Sequence, residues 1–156
     1  MVDDEHFMDL AIQLALLAER EGNLPVGAII TFGDKVVAEG KNAIWVPIYD
    51  GTRHAEMEAL RIVSPDLWQS SSEMSLYTTL EPCLMCFGSI LLHGIRRVVY
   101  GASDNYGGAS SVLSNLPPFF QEKMAQTKWI GPLTPDKCDP LHERLLALEK
   151  AGKGNW

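Results

Sequence analysis

The sequence predicts an α/β protein with a central mixed sheet of about five strands and helices on both faces. Strand-like and helix-like segments alternate after Met74, the order typical of this class. Before that point, residues 5–21 place apolar side chains at helical spacing, and residues 28–32 and 35–39 form a hairpin pattern around a tight turn. A chain of 156 residues suits one core, so we expect residues 1–156 to form a single domain.

The first half of the chain is expected to run helix, hairpin, loop and helix. Gly22 and Asn23 end the first helix, and Pro25 blocks its continuation. The loop at 43–53 is unusually apolar, which suits a pocket wall, a subunit interface or ordinary packing. Loop and cap residues just upstream place His54 in the first turn of the next helix.

The second half is expected to alternate strands with helices. Ile90, Leu91 and Leu92 should pack inward, and Arg96 and Arg97 should be solvated. The predicted order is a strand at 74–79, a helix at 83–93, a strand at 95–100, a loop at 101–109, short helical segments within 110–126, an edge strand at 128–130 and a helix at 135–151.

Composition indicates an ordinary globular protein from a reducing compartment. The chain is 46% hydrophobic and 21% charged, and no apolar run approaches the ~20 residues that cross a bilayer. Its acidic start lacks the basic residues of a signal peptide. Of three cysteines, two are spaced as metal ligands rather than as disulfide partners. We therefore expect a cytoplasmic protein with no membrane partner.

The residues that carry chemistry are His54 and Glu56, followed later by Pro82, Cys83 and Cys86. One imidazole and two thiols make three protein ligands, a number that leaves a zinc position open for water. Cysteines three apart share one face of a helix, and Pro82 suits the first helical position. Glu56 supplies a proton carrier beside that water, as hydrolysis of a C–N bond requires.

A structural zinc site with a fourth protein ligand is the competing interpretation. The candidate fourth ligands are His6, His93, His142 and Cys138. Such a site would belong to a non-catalytic, zinc-stabilised binding module. That interpretation leaves Glu56 without a role, so we favour the catalytic one.

These residues resemble the zinc-dependent cytidine/deoxycytidylate deaminase superfamily, and within it the branch of guanine deaminases, cytosine deaminases and bacterial tRNA adenosine deaminases. The resemblance runs from about Phe7 to at least Ala109, and its motifs lie at residues 24–28, 40–42, 54–61 and 79–83. It implies a three-layer α/β/α fold, Zn2+ held by His54, Cys83 and Cys86, and a homodimer.

The same resemblance implies where substrate binds. Asn42 resembles an asparagine that hydrogen-bonds the substrate ring in this branch, and an amide offers both a donor and an acceptor. We expect further contacts from Asp104 and from backbone near Ala55 and Glu81.

Charge decides our expectation of the substrate. The net charge is −7, and the loop at 101–109 contains no Lys or Arg, whereas a protein that grips RNA usually presents a basic face. Residues 51–53 also differ from the Pro-Thr-Ala that precedes His-Ala-Glu in the tRNA-acting enzymes. We therefore expect a small free nucleobase or nucleoside, deaminated with release of ammonia. Adenosine-to-inosine conversion in tRNA remains the alternative.

Overall fold

The computed structural model describes residues 2–153 and contains a five-stranded mixed sheet within that range, as the sequence predicts. The strand order is β2-β1-β3-β4-β5. The strands are β1 Gly27–Phe32, β2 Lys35–Lys41, β3 Met74–Leu80, β4 Arg97–Ala102 and β5 Lys128–Ile130. The helices are α1 Asp4–Arg20, α2 Ala55–Ile62, α3 Leu84–His93, α4 Pro118–Met124 and α5 Pro135–Leu148. Two 3₁₀ segments lie at Pro65–Glu73 and Ala109–Asn115, and a wider π-type turn lies at Glu149–Lys153.

Strand direction brings four loops to one edge of the sheet. β1 pairs antiparallel with β2 and with β3, whereas β3, β4 and β5 run parallel. The carboxyl ends of β2, β3 and β4 therefore lie at the same edge, beside the start of β1. Asn42, Glu81 and Asp104 all follow these strand ends, so the topology alone places them together.

Alternate residues of the strands face opposite helical layers. The row Ile30, Leu76 and Val98 is fully buried in one core, which includes α2 and α3. The neighbouring row of Ile29, Tyr77 and Val99 is buried against α1 and the start of α5. The predicted three-layer arrangement is confirmed.

Gly40 allows α2 to lie close against the sheet. A Cβ atom at Gly40 would lie 2.1 Å from the carbonyl oxygen of Ala55, far inside contact distance. The start of α2 can approach β2 so closely only because residue 40 has no side chain. This contact sets the depth of His54 and Glu56.

Several local predictions are wrong in detail. α2 begins at Ala55 and α3 at Leu84, so His54 and Cys83 are extended N-cap residues and Pro82 precedes the helix. Leu92 is 59% exposed and does not pack inward, because it lies on the opposite face of α3 from Ile90. Arg97 is paired with Asp4 at 2.7 Å and is not freely solvated.

The C-terminal helix ends earlier than predicted. α5 stops at Leu148, and Glu149–Lys153 forms a separate wider turn that ends with Gly152 at φ 76°. Trp156, at the chain's end, lies outside the described residues, and the single-domain expectation for 1–156 remains a prediction. Within residues 2–153 no helix combines the length and apolarity needed to span a bilayer.

Candidate active site

His54, Cys83 and Cys86 converge at the edge of the sheet where the strand ends meet. His54 Nδ1 lies 3.6 Å from the Sγ atoms of both cysteines. Two atoms bound to one tetrahedral zinc, at ~2.05 Å for nitrogen and ~2.3 Å for sulfur, lie about 3.6 Å apart. The donor set and its spacing therefore fit Zn2+, with His54 Nδ1 as the nitrogen ligand.

Helix starts hold these three ligands. His54 caps α2 and Cys83 caps α3, and both have extended backbone, while Cys86 lies in the first turn of α3. The exposed N–H groups at a helix start favour negative charge, which stabilises thiolates. The ligand triad is thus built from two local chain turns that the packing of α2 against α3 brings together.

The protonation of the three ligands is coupled. A hydrogen bond from the Cys86 thiol lowers the pKa of Cys83 to about 4, and the pKa of Cys86 is correspondingly raised. Burial alone would lower the pKa of His54, but its hydrogen bond to Cys83 and the charge of Glu56 leave it raised. Metal binding requires neutral imidazole and two thiolates, so zinc would displace protons from this cluster.

Glu56 lies directly beside the ligand triad. Its side chain is buried, with 3% of the residue exposed, and Oε2 is 3.4 Å from Cys86 Sγ. The Thr78 hydroxyl donates to Oε1 at 3.1 Å. Burial raises the pKa of this carboxyl. A carboxyl group that is easily protonated and lies beside a metal site suits proton transfer.

A cavity of about 380 Å³ opens in front of the triad. This volume is within the range of small-molecule pockets. Its lining includes His54, Ala55, Glu56 and Cys83 together with Asn42, Tyr49, Glu81, Asp104, Tyr106 and Glu149. The metal-ligand, proton-carrier and substrate-contact residues predicted from the sequence, other than the deeper Cys86, therefore line one cavity.

Asn42 is almost fully buried at the cavity wall. Its Oδ1 accepts hydrogen bonds from the backbone N–H groups of Leu24 and Ile44, both at 3.3 Å. These bonds fix the orientation of the amide. Within the described residues its Nδ2 has no hydrogen-bond acceptor in the protein, and is available as a donor to a ligand.

The Glu81 side chain is bound to the loop that follows β4, so the substrate contact predicted from backbone near Glu81 stays a prediction. One carboxylate oxygen accepts from Asp104 N at 2.9 Å and the other from Ser110 N at 2.8 Å. Asp104 in turn accepts from Tyr106 N and Gly107 N, both at 3.0 Å. We call residues 103–108 the rim loop. Glu81 holds this loop in place from below.

Sequence reasoning missed two residues of the site. Thr78 positions Glu56, and nothing local in a strand threonine signals that contact. Glu149 lines the cavity from the turn after α5, and burial beside Asp104 raises its pKa. Residues so distant in the chain meet here only through tertiary packing.

The four candidate fourth ligands lie elsewhere in the structure. Within the described residues, the cluster that can hold a metal comprises only His54, Cys83 and Cys86. His93 Nδ1 contacts Ser89 O at the end of α3, Cys138 is buried beside Thr134, His6 stacks on Phe7, and His142 faces Asp104. The three-ligand geometry thus favours a catalytic site over a closed structural one.

Comparison with known proteins agrees with this geometry. Residues 1–102 match the cytidine and deoxycytidylate deaminase zinc-binding region. The chain belongs to this family. Membership, together with the triad, supports a hydrolytic deaminase that uses Zn2+, and confirms the resemblance and the cofactor inferred from the sequence.

Two relatives and one solved structure show which members of the family this chain is similar to. The tRNA-specific adenosine deaminase of Bacillus subtilis is 37% identical over 120 residues, which is 74% of this chain and 72% of that protein. The cytosine deaminase of Candida albicans is 35% identical over 112 residues, 71% of this chain and 74% of that one. A structure from a study of A-to-I editing by tRNA:A34 deaminases at the wobble position superposes with a TM-score of 0.66 at 36% identity, covering 73% of this chain and 90% of that one.

The expected free nucleobase or nucleoside substrate is wrong by this comparison. Five bacterial proteins named tRNA-specific adenosine deaminase are 37–43% identical to this chain, which fits the alternative. The match spans 61–66% of the length of the two Buchnera aphidicola relatives of that name. Charge failed as a guide because a nucleobase can also be held by stacking and by hydrogen bonds that involve no phosphate.

Proposed function

We propose that this protein converts adenosine to inosine in tRNA by zinc-dependent hydrolytic deamination. The observation that carries the substrate is the 37–43% identity to bacterial proteins named tRNA-specific adenosine deaminase. The triad and Glu56, which line one cavity, carry the chemistry.

The zinc would be held by His54, Cys83 and Cys86. When bound, zinc lowers the pKa of its water from 15.7 toward about 7 and so supplies a nucleophile at neutral pH. Glu56 moves the protons. Its Oε2 takes a proton from the attacking water and delivers it to the exocyclic nitrogen of adenine. A C–O bond forms at C6, the C–N bond breaks, and ammonia leaves.

Thr78 allows Glu56 to change its protonation state without losing its partner. The proton is carried on Oε2, so Oε1 stays an acceptor for the Thr78 hydroxyl whether Glu56 is a carboxylate or a carboxylic acid. The Thr78 contact at 3.1 Å therefore serves both states. Asn42, with its Oδ1 already engaged, presents Nδ2 toward a ring nitrogen or oxygen of the substrate.

The acidic composition does not by itself exclude RNA binding, because unpaired bases are also held by stacking and by hydrogen bonds that involve no phosphate. In the described residues, ion pairs join five acidic side chains to six Lys or Arg side chains and so leave the surplus of acidic groups in place.

The homodimer also stays a proposal. Ile90 and Leu91 are buried within the chain and contribute nothing to an interface. The apolar surface that α3 does expose is Leu84 and Leu92, two turns apart on one face. Light scattering of the zinc-loaded protein should give a dimer, and Leu92→Glu should give a monomer. A monomeric wild type at micromolar concentration would refute the dimer.

Deamination of an anticodon stem-loop RNA tests the function directly. We expect zinc-loaded protein to convert one loop adenosine to inosine, read as an A-to-G change after reverse transcription. The same RNA with guanosine at that position, and the Glu56→Gln variant, serve as controls. Absence of inosine with fully zinc-loaded wild type would overturn the proposal.

A further inference from the structure

Tyr106 stands out on the rim of the cavity. It lines the cavity, yet it is 91% exposed, the largest exposure among the exposed large apolar and aromatic side chains of the described chain. An exposed tyrosine of this kind contributes little to folding, since its ring buries almost no area. Its ring is available to anything that enters or covers the cavity.

The backbone beneath Tyr106 is firmly held. Its own N–H donates to Asp104 Oδ1, and the N–H of Gly108 donates to Asp104 O at 2.9 Å. Glu81 binds the N–H groups of Asp104 and Ser110, on either side of the tyrosine. Such a backbone fixes the point from which the ring extends, which lowers the backbone entropy lost when a ligand packs on it.

The described residues that line the cavity include no Lys or Arg side chain to form an ion pair with an RNA phosphate. Its charged lining residues, within the described part of the chain, are all acidic apart from His54: Glu56, Glu81, Asp104 and Glu149. Affinity for RNA at this entrance must therefore come from contacts that do not involve phosphate. Stacking of unpaired bases on aromatic rings is the main contact of that kind.

We propose that Tyr106 is a stacking platform for the nucleobase adjacent to the adenosine that enters the cavity. The inference rests on the proposed function, because it needs a single-stranded RNA segment at the cavity entrance. Deamination requires the target base to be unstacked from its neighbours. A neighbour that loses its stacking partner can recover that contact on the exposed ring of Tyr106.

Kinetics of three substitutions on an anticodon stem-loop test this role. Tyr106→Ala should raise KM by about 5- to 100-fold with kcat little changed, because one stacked base is lost. Tyr106→Phe keeps the ring and should stay within about 2-fold of wild type. Phe119→Ala, which removes an exposed aromatic side chain that does not line the cavity, is the matched control and should leave KM unchanged.

Salt dependence and fluorescence separate stacking from other roles. Tyr106→Ala should leave the slope of log KM against log salt unchanged. Tyr106→Lys should make that slope steeper by about one, because a new lysine releases one more counterion from the RNA. In the Glu56→Gln background, 2-aminopurine beside the target adenosine should be quenched when Tyr106 is present and brighter with Tyr106→Ala.

The outcomes distinguish this inference from the proposed function. If the zinc-loaded wild type leaves the stem-loop unchanged, the proposed function itself fails. If the wild type deaminates it and Tyr106→Ala matches wild type in KM and in 2-aminopurine quenching, the stacking role is overturned. Zinc content and circular dichroism of each variant show whether a loss arises from misfolding instead.

Discussion

Two buried glutamates line the same cavity and differ in what holds them. Glu56 and Glu81 are 3% and 5% exposed. The Thr78 hydroxyl donates to Glu56, and the Cys86 thiol lies against its other oxygen. Glu81 instead accepts two backbone N–H groups, one on each oxygen.

The comparison shows that the partners of a buried carboxylate, more than its burial, decide what it can do. Backbone N–H groups can only donate, so Glu81 must remain an acceptor or leave a donor unsatisfied. On Glu56 the Thr78 hydroxyl binds Oε1, so Oε2 can bind and release a proton while that hydrogen bond is kept. Glu56 therefore suits chemistry, and Glu81 suits the positioning of the rim loop.

Glu56→Gln should produce the largest effect. The amide keeps the shape and a partner for Thr78 but cannot carry a proton, so we expect deamination to fall by about 10²–10⁴-fold. Zinc content should match wild type, because the three ligands are untouched. Inosine formation on stem-loop RNA and metal analysis give the two readouts. A variant that kept most of its activity would make Glu56 a structural residue like Glu81.

Glu81→Gln should act on stability before chemistry. Its amide nitrogen must face one of the two backbone N–H groups, Asp104 N or Ser110 N, and a buried donor left unpaired costs about 1–3 kcal/mol. Urea unfolding of the zinc-saturated protein should show that loss, with a higher KM for RNA and a nearly unchanged kcat. Wild-type stability in this variant would mean that the rim loop does not depend on Glu81.

Gly108→Ala probes the same contact from the loop side. A Cβ there would lie 2.5 Å from both Asp104 O and Glu81 Cδ, so backbone must shift and we expect a loss of about 1–3 kcal/mol. The neighbouring Gly107→Ala is the control, because its nearest atom is a side-chain oxygen of Asp104 at 3.1 Å. Similar losses for both variants would show that the loop is sensitive to any added methyl group.

The sequence predicted the metal site well because that site is local. His54 and Glu56 share one helix start, and Cys83 and Cys86 share another, so spacing alone constrains their geometry. The alternation of strands and helices predicted the sheet for the same reason. Within the metal site, only the helix starts at His54 and Cys83 were misplaced, each by one residue.

The rim of the cavity could not be predicted in the same way. Glu81 meets Ser110 across 29 residues, and Glu149 reaches the cavity from the far end of α5. Such contacts depend on tertiary packing and leave no periodic signal. The substrate expectation failed for a different reason, since charge reports on contacts with phosphate and not on the contacts that hold a base.

A third carboxylate, Asp4, extends the comparison to the opposite pKa direction and should give the smallest effect. Arg97 forms two hydrogen bonds with Asp4, at 2.7 and 3.0 Å, and the Tyr77 hydroxyl donates at 2.7 Å. The Arg97 guanidinium holds the pKa of Asp4 below its usual value, whereas burial raises that of Glu56. A carboxyl whose pKa is lower in the folded state contributes stability above its unfolded pKa, and that stability is lost as pH falls through the folded pKa.

Because the pair of Asp4 and Arg97 is partly exposed and screened, Asp4→Asn should lower the free energy of unfolding by only about 0.5–1 kcal/mol at pH 7. That difference from wild type should shrink as pH falls below the unfolded pKa of about 3.9, and its charge-dependent part should vanish below the folded pKa, where Asp4 is neutral in both states. Acid release of zinc affects both proteins alike, so the difference between their urea-unfolding free energies isolates Asp4. A difference that stayed constant from pH 7 to pH 2.5 would assign the contribution of Asp4 to packing and not to its charge.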